Sequence, residues 1–88
     1  MDACDIDCIR FINAYFVDGE KFLDYYTKSD FEETVHIGDS FAIITENLYI
    51  QGMLYDIDVE TNTFEIVHDN DKHTTIKCSD VVVCSKLN

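Results

Sequence analysis

The stretch Glu46-Asn47-Leu48-Tyr49-Ile50-Gln51-Gly52-Met53 decides the fold, because it admits two incompatible readings. With Phe in place of Ile50, its first seven residues would be the site at which a tag-removing protease cuts before a starting methionine. As part of a fold, Asn47 suits a hairpin turn because it tolerates positive φ. Leu48, Ile50 and Gly52 then lie on one side of the following strand, with Tyr49 and Gln51 on the other. Ile50 departs from the protease site and no His run precedes it, so residues 48–59 read as a strand. A glycine inside a strand marks a bend or bulge, and Gly52 is placed where two halves of a sheet would share one strand.

Outward from that segment, FAIIT (41–45), TFEIV (63–67), TTIK (74–77) and DVVVC (80–84) are rich in β-branched and aromatic residues. Polar turn signals separate them, notably Glu60-Thr61-Asn62 and His68 to Lys72. Five short strands in sequence predict a strongly bent antiparallel small barrel over residues 36–88, with Leu54, Ile57, Phe64 and Ile66 in its core. Residues 1–35 read differently. Ile6, Ile9, Ile12, Tyr15 and Phe16 recur at spacings of three and four, which predicts a helix over 3–17 broadened by Cys8 and Phe11. Asp2 and Asp5 suit its positive end. Gly19 interrupts the pattern, EKFLDYYT resumes it, and Ser29-x-x-Glu32 matches a capping box for a short helix ending at Gly38. The expected class is mainly β with an N-terminal helical segment, the exposed Phe11 and Phe22 offering a surface to a helical partner.

Eighty-eight residues make one small domain, which buries only about 60–65% of its unfolded surface and gains from a partner. Six basic residues stand against 18 acidic ones, for a net charge of -12. Such a chain repels polyphosphate, and its surface is either simply well solvated or covered by a partner. No apolar run approaches the roughly 18 residues of a membrane span. The acidic start MDACDID is unlike a secretory leader, so the expected setting is cytoplasm and nucleus, where thiols stay reduced. Cys4, Cys8, Cys78 and Cys84 have poor spacing for zinc and read as small buried apolar residues. No phosphate loop, nucleophile–base pair or metal-ligand helix is present, so no catalytic residue, metal or cofactor is expected. His68 and His73 beside Asp69 and Asp71 read as a solvated turn.

Gly52-x-Leu54-x-x-x-Asp58-x-x-x-Asn62 resembles the first motif of the Sm and Sm-like family, and Ile76-Lys77-Cys78-Ser79-Asp80-Val81-Val82 resembles the second. In that family the turn before Asn62 carries a ring that stacks on RNA bases, and Arg and Gly stand at positions 77 and 78. Here Glu60, Thr61, Lys77 and Cys78 occupy these places. A carboxylate replaces a stacking platform, and Lys does not reproduce the planar fork of Arg. Among Sm-like proteins, an RNA-poor domain is similar to the Gemin-type subunits of the survival-of-motor-neuron complex, which help assemble spliceosomal small nuclear ribonucleoproteins. That resemblance implies a non-catalytic subunit forming a heterodimer with another Sm-like subunit by edge-strand pairing. Thr74, Thr75 and Ile76 on the fourth strand and Val81, Val82 and Val83 on the fifth would form the interface. The alternative it leaves is an RNA-binding ring subunit or an mRNA-decapping module, with Lys77 still on RNA.

Overall fold

The computed structural model describes residues 8–87, which form eight antiparallel strands in two sheets. The first sheet contains β1 (Ile9–Val17), β2 (Glu20–Thr27) and β3 (Glu32–His36), in that order. The second begins as a meander of β4 (Ser40–Thr45), β5 (Tyr49–Asp58), β6 (Thr63–His68) and β7 (Lys72–Lys77). A single 3-10 turn, Cys78–Asp80, then returns the chain as β8 (Val81–Lys86) to the far side of β4. The resulting order is β7-β6-β5-β4-β8.

This architecture overturns the expected helix and the single five-stranded barrel. No α-helix occurs among the described residues, and the N-terminal region builds a sheet of its own. Asp2, Cys4, Asp5 and Ile6, part of the helix argument, lie outside the described residues. The cause is turn chemistry. Asp18 and Gly19 have φ of 52° and 80°, so they make a two-residue turn of the primed type, whose twist matches that of flanking strands. Val17 pairs with Glu20 across it. On either side the buried residues recur every second position, as Ile12 and Ala14 on β1 and Leu23, Tyr25 and Thr27 on β2. The apolar spacing of three and four arose because β1 also carries rings on its other face.

The capping-box match fails for a similar reason. Asp30 sits at φ 65° in a tight turn. Thr27 closes that turn, its N–H donating to Phe31 O at 2.9 Å and its hydroxyl accepting from Phe31 N at 3.2 Å. Glu32 to His36 continue as strand and pair with Tyr26 to Phe22. The next turn uses Gly38 at φ 102°, with Asp39 N donating to His36 O at 3.0 Å.

β5 is the spine of the second sheet. Tyr49 to Met53 pair with β4, Met53 to Asp58 pair with β6, and Tyr55 bulges out between Leu54 and Asp56. Gly52 lies at the changeover, against β6. A Cβ there would sit 2.1 Å from Val67 O, 2.9 Å from Ile66 Cγ2 and 3.0 Å from His68 Cβ. Only a residue without a side chain lets the two strands approach so closely.

The sheets enclose one core. Leu23, Tyr25 and Val35 from the first meet Phe41, Ile43, Leu54, Ile57, Phe64 and Ile66 from the second. Burying each large apolar side chain contributes about 1.5–3 kcal/mol before entropy is charged against it. The rings of Tyr25, Phe41 and Phe64 form a chain across the interior, with centroids 6.1 and 6.0 Å apart. The Tyr25 hydroxyl accepts from Lys86 N at 3.2 Å, satisfying its polar end and joining β2 to β8.

Candidate functional site

The five residues that carry the motif resemblance have distinct physical roles. Gly52 is the close approach just described, and Leu54 is fully buried. Asp58 builds the turn that follows β5, where its Oδ1 accepts from Glu60 N at 3.0 Å and Thr61 N at 3.3 Å. Asn62, at φ 56°, closes the same turn in the left-handed region that Asn tolerates. Its amide reaches the other sheet, with Oδ1 accepting from Ala14 N at 2.9 Å and Nδ2 donating to Asn13 Oδ1 at 3.2 Å. Asn62 O also accepts from Cys78 N at 3.0 Å. One residue therefore ties together β1, the β5–β6 turn and the 3-10 turn. Lys77 ends β7 exposed and makes no ion pair among the described residues.

The residues expected at an interface lie on the two outer strands of the second sheet, at opposite edges. An outer strand offers unpaired N–H and C=O groups to any chain that can line up with them, and proteins commonly guard such edges. Three of the four outer strands here are guarded. On β1, Arg10 is bulged and Ala14 N is taken by Asn62. On β3, Thr34 N donates to Glu33 Oε1 at 3.3 Å and His36 N to Asp39 Oδ2 at 2.9 Å. On β8, Val82 is the extra residue of a bulge, since Ile44 faces Val83 while Thr45 faces Val81. Lys86 N on that strand is taken by Tyr25, and a groove lined by Tyr25, Thr27 and Phe31 runs beside Val83 to Ser85. Within the triplet, Val81 is buried, Val83 is half-buried and Val82 faces solvent.

β7 is different. Its six residues pair in unbroken register with β6, and no side chain caps a β7 backbone group among the described residues. Ile76 is buried, Thr74 is half-buried and Thr75 is exposed. Lys72 and Lys77 stand at its two ends, and neither they nor Lys28 forms an ion pair among the described residues, whereas Arg10, Lys21 and Lys86 each have a carboxylate within 3.4–3.6 Å. The remaining groups near β7 are already engaged. His73 bonds Glu65 and meets the Tyr55 ring edge-on at 4.8 Å. His68 contacts the Thr74 hydroxyl at 2.7 Å and Asp69 at 3.1 Å. Among the described residues, no three His, Cys, Asp or Glu side chains gather as a metal site.

Phe11 and Phe22 do share one surface, carried by strands rather than by a helix. Phe11 packs on Tyr26 and Phe22 on Tyr15 across the β1–β2 ladder, on the face turned away from the core. The Asp18-Gly19 pair held the signal that would have located this face. Cys8, Cys78 and Cys84 are all buried, and Cys78 and Cys84 are free thiols. Burial pushes the Cys78 thiol from its ordinary 9.0 up to about 11 and moves Cys84 in the same direction, so both stay protonated and unreactive at neutral pH. No family model, curated protein or solved structure matches the chain.

Proposed function

We propose that this chain is a non-catalytic protein–protein interaction subunit that receives one partner strand along β7. The observation that carries the reading is the contrast between edges: β7 is open along six residues, while β1, β3 and β8 are each bulged or capped. Strand addition draws affinity from main-chain hydrogen bonds and specificity from alternate side chains. One open edge yields a pair; two complementary edges would continue into a ring or a filament.

Charge specifies the partner further. Unpaired Lys72 and Lys77 bracket the edge, so a strand with carboxylates at both ends fits it best. A symmetric antiparallel pairing of β7 with its own copy would set Lys72 opposite Lys77 twice, and like charges placed so repel. A different chain is therefore favoured. On the motif resemblance, that chain is another Sm-like subunit, within the survival-of-motor-neuron complex. RNA plays little part on this reading, because the Asn62 amide is already bonded to β1 and the chain carries -12. The protonated, buried thiols of Cys78 and Cys84 favour a role without covalent chemistry.

The test is the mass and amide exchange of the complex purified from its native cell. A one-to-one complex is expected, with slowed exchange on residues 72–77 and none gained on 82–84. The K72E/K77E variant should melt as the parent does and bind about tenfold more weakly, the effect of turning two attractive pairs repulsive. A six- or seven-membered ring, protection on β8 instead, or tight binding of a uridine-rich RNA at moderate salt would overturn the proposal.

A further inference from the structure

The solvent-facing side of the first sheet is a grid fixed by register. Its rows are Phe11–Tyr26–Glu32, Asn13–Asp24–Thr34 and Tyr15–Phe22–His36. The two aromatic pairs have centroid separations of 5.9 and 5.8 Å, the second nearly parallel with 20° between ring planes. Successive rows lie two strand residues apart, about 6.8 Å. Asp24 occupies the middle row, so its carboxylate has a pair of rings on either side. Its Oδ1 accepts from the Thr34 hydroxyl at 2.8 Å, and Oδ2 has no protein donor among the described residues. Phe11 is 40% and Tyr15 is 37% exposed. Glu32, which accepts from Tyr26 OH at 3.0 Å, and Glu20, 3.4 Å from His36, add negative charge at the rim. No Lys or Arg stands in the grid.

We propose that this face docks a partner segment through an arginine side chain laid over Asp24 between the two aromatic pairs. A guanidinium offers parallel N–H donors to a carboxylate and flat faces to rings, and it is less strongly hydrated than an ammonium. A lysine can supply the charge but not the plane. The carboxylates of Asp24, Glu32 and Glu20 draw a basic segment to this face and turn acidic or phosphorylated ones away from it. The surface belongs to the other sheet from β7, so it neither requires nor excludes strand addition there.

The experiment uses the full chain labelled with nitrogen-15 and three synthetic peptides, identical except for Arg, Lys or Gln at alternate positions between glycines. The Arg peptide is expected to shift the amides of Asn13, Asp24 and Thr34, and to weaken as salt is raised. The Lys peptide should bind several-fold more weakly and the Gln peptide not measurably. Asp24→Asn should reduce Arg-peptide affinity about tenfold. Tyr15→Ala, at a more exposed position, should reduce it about fivefold and covers the case in which Asp24→Asn disturbs the fold. Equal binding of Arg and Lys peptides, shifts confined to β7, or no loss in a folded variant would overturn the assignment.

Discussion

Replacing Gly52 with Ala asks one added carbon to fit where none can. The new Cβ would lie 2.1 Å from Val67 O, a main-chain atom in the paired strand, with Ile66 Cγ2 at 2.9 Å behind it. An ordinary carbon–oxygen contact needs more than 3 Å, so β5 and β6 must separate locally by about 1 Å. Neither atom is the far end of a flexible side chain. Forced overpacking of this kind costs about 1–3 kcal/mol. Separation also loosens the ladder around Met53 and Val67, whose hydrogen bonds are each worth about 0.5–1.5 kcal/mol. Against that, Ala lowers unfolded-state entropy and returns about 0.4–1 kcal/mol. The net is about 1–5.5 kcal/mol, at its upper end a large part of the roughly 4–13 kcal/mol expected for a chain of 88 residues. Urea denaturation followed by circular dichroism measures it, with Gly19→Ala as control. Gly19 has nothing within 4 Å and only the strain of φ 80°, about 1–2 kcal/mol. If Gly52→Ala proves milder than the control, the close approach is not what holds a glycine there.

Asn62→Ala removes the donor–acceptor bridge to Asn13 and Ala14 and leaves a left-handed position to a residue that disfavours it. A loss of about 2–3 kcal/mol is expected, with faster amide exchange at Ala14 as its local signature; unchanged exchange there would count against the bridge. Stability should also fall in alkali. The unfolded Cys78 thiol ionises near its ordinary 9.0 while the folded one resists to about 11, so above pH 9 the folded state holds a proton that the unfolded chain releases. The contribution is complete below pH 9 and is lost on rising to about pH 11, at about 1.4 kcal/mol per unit. Burial raises the Tyr25 hydroxyl and acts in the same direction. Cys78→Ala should flatten part of this limb, and denaturation midpoints that stay level across the window would refute the account.

Much of the second sheet was legible because its signals are local. Gly52 within a strand, Asp58 and Asn62 around a turn, and polar breaks between β-branched runs each act within a few residues of their own position. The first sheet was misread where two local signals competed. Residues 9–17 satisfy a helical spacing only if Tyr15 and Phe16 count on the same face, and the Asp18-Gly19 turn after them favours a hairpin on backbone twist alone. Aromatic residues outside the core made the wrong period look sound. Ser29-x-x-Glu32 shows the same weakness, since the short side chains that cap helices also close turns, as Thr27 does here.

Turn positions, the glycine bend, the apolar interior and the charge of -12 were thus determined by the chain's own chemistry. Which edge stays open was not. That outcome depends on Asn62 reaching Ala14, Tyr25 reaching Lys86 and Val82 slipping out of register against Ile44 and Thr45. Each joins residues distant in the sequence: the Val82 slip exists only once β8 has paired with β4, and the other two only once the sheets have closed on their common core. An N–H group is taken or left open by its neighbours in space, so the accessible edge is a property of the packed sheets rather than of any segment.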